Sequence, residues 1–231
     1  MRSTPVVTIV LIALNVLVFA FTAYQAHSIA NNAHSPLAQD WELFPYAVAG
    51  GQWWRIITSG FIHYGPIHIA MNMIALWIIG RDMETVLGRL RYIVVYVLSL
   101  IGGGVAVFLF NNPHGLVAGA SGAVFGLMGG VVIACYRLKI SPRTALMVIA
   151  VNLVFSFSIP GISWLGHLGG LVVGALATVG MLYAPVAKRK PIQLATVIGL
   201  FVLLVGLFFL RDAQFAHIIC APHGLRCVQV S

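Results

Sequence analysis

An all-α membrane protein of several spans is the fold class this sequence predicts, and three observations carry that expectation. Of 231 residues, 60% are hydrophobic and 8% charged, where soluble domains run at roughly 45–50% and 25%. The apolar residues fall in runs long enough to cross a hydrocarbon core of about 30 Å. None of these runs shows the strict alternation of a barrel strand. The same arithmetic excludes a disordered chain, a fibrous repeat and a disulfide-stapled scaffold. A net charge of 13 − 5 = +8 would ordinarily raise nucleic acid as a partner. Here the basic residues are too scattered to form a patch. No nucleic acid is expected, and the lipid bilayer is the partner.

Seven spans follow in order: Val6–Tyr24, Ile67–Gly80, Tyr92–Phe110, Ser121–Tyr136, Thr144–Ile159, Trp164–Tyr183 and Ile192–Leu210. Arg81 and Asp82 are expected to close the second. The first run is too long for a signal-peptide core and lacks a small-x-small cleavage site, which predicts a retained helix. The longest stretch outside the spans is Gln25–Pro66.

Charge sets the orientation. With the N-terminus in the cytoplasm, the cytoplasmic segments hold Arg2, Arg81, Arg89, Arg91, Arg137, Lys139, Arg143, Lys188, Arg189 and Lys190, ten of the thirteen basic residues. The outer side holds Arg55, Arg211 and Arg226. Positive-inside bias therefore predicts a cytoplasmic N-terminus and an extracytoplasmic C-terminal tail. Spans two, four and six run inward from the outer face.

Those three inward spans carry polar residues that do not belong in lipid. His68 and Asn72 lie early in the second span, Ser121 opens the fourth, and His167 sits in the first turn of the sixth. At about 1.5 Å rise per residue all four fall at similar shallow depths. His68 and Asn72, four apart, share one helix face. Singly, each has a bland reading: a back-bonded serine, a packing histidine, an amide joining helices. Those readings leave the shared depth and the surrounding glycines unexplained. Together the residues form a nucleophile, a base and oxyanion donors. The fourth span strengthens this, because its 16 residues reach only roughly 24 Å. Its start is expected below the outer surface, met by the uncharged loop Asn111–Ala120. Such backbone at membrane depth must be buried in protein or line a wet cavity. Ser121 would then sit on free helix N-terminal amides.

These residues resemble the motifs of rhomboid intramembrane serine proteases. Gly119-Ala120-Ser121-Gly122 is similar to that family's G-x-S-G, and His68 with Asn72 resembles its H-x-x-x-N. The run from Gly166-His167 through Gly170 and Gly174 resembles its histidine helix, and Trp54-Arg55 resembles the W-R pair of its first outer loop. The likeness runs from about residue 5 to residue 183. It implies a six-helix protease core over residues 1–183, then a linker and seventh transmembrane helix over 184–210, with 211–231 as an extracytoplasmic tail. It implies Ser121 as nucleophile and His167 as base and acid. Asn72, His68 and the Ser121 backbone N–H would form the oxyanion hole. Gly119, Gly122, Phe125, Gly170, Gly174, Trp54 and Arg55 would be supporting residues, with no cofactor and no metal. Substrates would be single-span membrane proteins cut near the outer end of their helix, and a bacterial inner membrane is the expected location. The resemblance further implies lateral admission of substrate past the fifth helix. No carboxylate lies in an outer half-helix to orient His167, so a dyad rather than a triad is expected. Two departures are modest: Phe125 stands where many relatives have tyrosine, and Gly166 where many have alanine.

Other features are read more plainly. Gly166, Gly170 and Gly174 have small-xxx-small spacing, matched by Gly126 and Gly130. Packing within the chain is preferred over a weak homo-oligomer. Trp53-Trp54-Arg55 is either an interfacial aromatic belt or part of a structured loop. Glu84 is expected in a solvated or locally paired inner turn. A metal site at His63 and His68 lacks a third ligand. Cys220 and Cys227 are either free or paired in an oxidising compartment. Two rival classes are a polar-pore transporter and a haem protein ligated by His68 and His167. The first predicts internal repeats, of which none is evident, and the second leaves Ser121 and its glycines without a role.

The orientation has a direct test. After reduction, a membrane-impermeant thiol reagent should label Cys220 and Cys227 in intact cells. Labelling only after the membrane is opened would reverse the topology.

Overall fold

The structure is a computed structural model, and it describes residues 4–158, 162–215, 218–221, 225 and 227–229. Arg2, Ile159 and Arg226, used in the reading above, lie outside the described residues. The first span is helix α1, Val6–Gln25. Three short helices follow in the long stretch after it: α2 (Pro36–Trp41), α3 (Pro45–Ala49) and α4 (Arg55–Thr58). Ser35 caps α2 by accepting from Ala38 N at 3.1 Å. The second span is a continuous helical run preceded by a sharp bend. Arg55–Phe61 and Gly65–Leu87 meet at 95°, and the latter comprises α5 (Gly65–Ala75), a π-helical turn at Leu76–Gly80 and α6 (Arg81–Leu87). The remaining spans are α7 (Arg89–Phe110), α8 (Ser121–Leu138), α9 (Arg143–Ser158), α10 (Trp164–Tyr183) and α11 (Arg189–Asp212). Two short antiparallel strands end the described chain, β1 (Ile218–Cys220) and β2 (Cys227–Gln229), with Cys220 opposite Cys227.

The chain is thus a multi-pass, all-α membrane protein. Among the described residues five helices are long and apolar enough to cross a membrane, and six if the bent pair counts as one span. The 16 residues of α9 are apolar but shorter.

Two expectations need correction. The second span does not close at Arg81 and Asp82; the helix runs to Leu87 and stops at Gly88, whose φ of 75° breaks it. Glu84 is not solvated. It is 5% exposed and its carboxylate accepts from Val7 N at 3.0 Å, Thr8 N at 2.8 Å and Thr8 Oγ1 at 2.8 Å. These are first-turn amides of α1, which have no partner within their own helix. A carboxylate there also meets the positive end of the helix dipole, an effect of up to ~2 kcal/mol when partly buried. Of the two alternatives left open for Cys220 and Cys227, the structure has the paired one: they are bonded to one another.

Helix α7 lies at the centre, with Tyr92, Val95, Tyr96, Val105 and Phe108 buried. It packs against α8 and α10. Apolar burial does not hold helices together in lipid, so close backbone approach and van der Waals contact must. Glycine supplies that approach. A Cβ added at Gly170 would meet Gly122 O at 2.0 Å, and one at Gly174 would meet Gly126 Cα at 2.4 Å. The glycine stripes of α8 and α10 are therefore filled by each other within the chain. Helix α11 sits outside this group and buries only Leu204 among its described residues.

Residues that follow α11 pack on the short helices. Gln52 Nε2 donates to Ala221 O at 2.9 Å, and a Cβ at Gly50 would strike Cys220 Sγ at 2.3 Å. Tyr46 lies edge-on to both His114 and Phe215, with ring centroids 4.7 Å and 5.7 Å away. Arg211 spreads over the Phe215 ring at 4.5 Å.

Gly170→Ala should destabilise the protein by about 1–3 kcal/mol, the usual cost of overpacking, and lower its melting temperature in detergent. Gly166→Ala is the control, because the nearest atoms to its Cβ lie at 3.4 Å. Equal melting of the two variants would contradict the packing argument.

Candidate active site

Ser121 is the first residue of α8, reached through Gly119. Gly119 has φ 119°, a backbone conformation closed to most side chains. Its N–H donates to Ser59 O at 2.9 Å, and two residues earlier Val117 pairs with Leu43 as an isolated antiparallel bridge. In the loop Asn111–Ala120, Val117, Gly119 and Ala120 thus bond through their backbone to protein outside the loop, as irregular backbone in a membrane protein requires.

His167 enters from the first turn of α10. Ser163 caps that helix, accepting from Gly166 N at 3.2 Å. The His167 Nε2 atom lies 2.7 Å from Ser121 Oγ. Phe125, one turn along α8, stacks on the imidazole with centroids 4.1 Å apart and planes 9° apart. The phenylalanine therefore supplies the ring contact without a hydroxyl. Gly122 and Gly170 allow the two helices to approach far enough for the bond to form.

His68 and Asn72 come from α5. His68 Nδ1 accepts from Tyr64 N–H at 3.2 Å. A ring nitrogen that accepts carries no proton, so the neutral ring bears its hydrogen on Nε2. That atom lies over Gly119: a Cβ built there would be 2.8 Å from His68 Nε2 and 3.7 Å from Ser121 Oγ. Asn72 is buried at 7% exposure, with Nδ2 donating to His68 O at 3.0 Å. An amide NH2 has two hydrogens, and the second remains for a ligand. Beside Ser121 and His167 a cavity of about 30 Å³, lined also by Gly103, Gly104, Gly119 and Gly122, has room for a water molecule.

Trp54 and Arg55 do not touch the serine or the histidine. Arg55 is fully buried, with Nε donating to Gln52 Oε1 at 2.7 Å and an Nη to Gln39 O at 2.7 Å and Glu42 O at 2.8 Å. Trp54 Nε1 donates to Asp40 O at 3.4 Å. The pair belongs to a structured loop rather than an aromatic belt alone. Burial pushes the Glu42 carboxyl above its usual range, opposed by the Tyr64 hydroxyl that bonds it and by Arg55.

Sequence reasoning missed one polar partner. Ser156 of α9 is buried and its Oγ lies 2.7 Å from His167 Nδ1. Nothing in its surroundings, Val154-Phe155-Ser156-Phe157, marks it in the sequence. Both ring nitrogens of His167 thus meet serine hydroxyls. His63, also buried, rests edge-on against His68 at 5.0 Å, and no third metal-ligating side chain joins them among the described residues.

A family model described as Rhomboid domain matches residues 50–185. This chain belongs to the rhomboid family. Rhomboid protease GluP of Bacillus subtilis is 36% identical over 169 residues, covering 70% of this chain and 32% of that protein. YdcA, also from Bacillus subtilis, is 30% identical over 180 residues, covering 76% of this rhomboid chain and 87% of its relative. Inactive RHOMBOID-like protein 8 of Arabidopsis thaliana is 34% identical over 146 residues, covering 60% and 41%. The chain spans about a third of the length of GluP. Because one rhomboid relative is named inactive, activity has to be argued from the residues this chain carries.

Proposed function

We propose that this rhomboid-family chain is an intramembrane serine endopeptidase with a Ser121–His167 dyad. The observation that carries the reading is the 2.7 Å contact between Ser121 Oγ and His167 Nε2, made by two side chains from different helices. Ser121 Oγ attacks the scissile carbonyl carbon as its proton passes to His167 Nε2. The charge on the carbonyl oxygen is met by the Ser121 backbone N–H, His68 Nε2–H and Asn72 Nδ2–H. Collapse breaks the C–N bond, and His167 returns its proton to the leaving amine. Water then attacks the acyl-serine, with His167 again as base, and frees the acid.

The substrate reading follows from chemistry. A peptide bond inside a helix has its carbonyl hydrogen-bonded and its backbone shielded. Cleavage requires local unwinding, which favours single-span substrates with helix-weakening residues near the cut. The small space beside Ser121, walled by glycines, favours a small side chain at the scissile residue. Trp54 and Arg55 support the site through the loop they order. The domain reading is a six-helix core over 1–183, a linker and seventh helix over 184–210, and a tail over 211–231.

Orientation is part of the proposal. The tail after α11 packs on α3 and on Gln52, at the same end of the molecule as Ser121. The Cys220–Cys227 disulfide suits an oxidising compartment. Both observations support a site that opens extracytoplasmically in a cell membrane and a cut near the outer end of the substrate helix.

In the pure protein, Ser121→Ala should abolish cleavage of a single-span test substrate and labelling by a fluorophosphonate probe, while leaving the fold intact. His167→Ala should be nearly as inactive, and the double variant no worse, because members of such a unit are not additive. Retained turnover in Ser121→Ala would sink the assignment. Asn72→Ala should lower kcat about 10²–10³-fold with little change in KM. A defect confined to KM would make Asn72 a docking residue instead.

A further inference from the structure

We infer that Ser156 is a positioning residue that holds His167 in the tautomer a general base requires; this rests on the dyad reading above. A dyad has no carboxylate to fix the imidazole. A neutral imidazole carries one proton, on Nδ1 or on Nε2. Only with the proton on Nδ1 can Nε2 accept from Ser121. In the Nε2–H form the serine has no base.

The geometry around Ser156 selects between these forms. Its Oγ lies 2.7 Å from Asn152 O and 2.7 Å from His167 Nδ1. A carbonyl oxygen only accepts, and a serine hydroxyl has a single hydrogen. That hydrogen goes to Asn152 O, so the contact to the ring is made by a lone pair. The ring must donate into it, which places the proton on Nδ1. The order of donation is then Ser121 Oγ–H to His167 Nε2, His167 Nδ1–H to Ser156 Oγ, and Ser156 Oγ–H to Asn152 O. Each hydrogen points the same way along the chain, and the last acceptor is backbone and cannot reverse.

Back-bonding to the fourth preceding carbonyl is the ordinary behaviour of a serine in an apolar helix. Here it has a second effect, because it spends the only hydrogen Ser156 has. The helix around it makes the placement conspicuous. Of the 16 residues of α9, only Ile149 and Ser156 are buried, while Val151, Val154, Phe155 and Phe157 are exposed. One of the two buried positions on this otherwise largely exposed helix is a hydroxyl, and it meets the imidazole edge at Nδ1, the nitrogen away from Ser121. With Phe125 stacked on the ring plane, His167 is held by a stack and by hydrogen bonds at both nitrogens.

The test uses the full chain with ¹⁵N-labelled histidine in lipid nanodiscs. In the wild type the His167 signal, identified by its loss in His167→Gln, should show a protonated Nδ1 and an unprotonated Nε2. In Ser156→Ala it should shift towards the Nε2–H form, and Ser156→Thr should restore the wild-type pattern. With a single-span test substrate, Ser156→Ala should lower kcat about tenfold at unchanged KM. One neutral hydrogen bond biases two tautomers by roughly that factor. Ser156→Thr should recover most of the rate. An Nε2–H ring in the wild type overturns the inference whether or not the protein cleaves. So does a Ser156→Ala variant with the wild-type tautomer and kcat. Failure of the protease reading looks different: no fluorophosphonate labelling of Ser121 in the wild type, whatever tautomer His167 shows.

Discussion

The backbone contact between α8 and α10 is the constraint on which the rest of the molecule depends. Ser121 and His167 stand 46 positions apart in the chain, on short side chains that cannot reach across an ordinary helix spacing. Helices packed through leucine-sized side chains sit 8–10 Å apart. With Gly170 against the Gly122 carbonyl and Gly174 against Gly126, the axes come closer, and a serine can touch a histidine directly. In lipid this approach is also what stabilises the pair, since there is no apolar burial to be gained. Packing and chemistry are satisfied by the same glycines.

The two imidazoles illustrate how fixed backbone groups decide proton positions. His68 meets a backbone N–H at Nδ1 and so presents a donor at Nε2. The neighbouring ring presents an acceptor at the equivalent atom, and its outer partner is tied to a backbone carbonyl. Backbone groups do not titrate, so the contrast between donor and acceptor persists without any buried charge. In a low-dielectric setting that is economical, because an ionised carboxylate there would carry a desolvation penalty of several kcal/mol.

Much of this was legible in the sequence, for identifiable reasons. Span positions follow from hydropathy, which lipid enforces strictly. That Ser121 meets His167, with His68 close to Gly119, follows from helix direction and rise. Gly119, Gly122, Gly170 and Gly174 were legible as a spacing pattern. What was hidden shares one property: it depends on which side chain crosses to another element. Glu84 looked like one charge among several at an inner turn, yet it caps α1. Ser156 looked like one more small residue in an apolar run. The π-helical turn at Leu76–Gly80 left no trace in the composition, and it carries the helix past the charges expected to end it.

Arg55 shows how far from the reacting atoms a defect can begin. Its guanidinium holds the carbonyl of Glu42; the next residue, Leu43, pairs with Val117; and Ser59, four residues beyond Arg55, holds the amide of Gly119. Any loosening at the arginine therefore travels through main chain alone to the glycine that sets the serine's approach. Changes at this buried cation would therefore disturb the turn that leads into Ser121 from a distance. Changes at the nearby exposed Trp53 would pass unnoticed. Tolerance to mutation in this loop is graded by connection to the backbone of Gly119 and not by distance from Ser121.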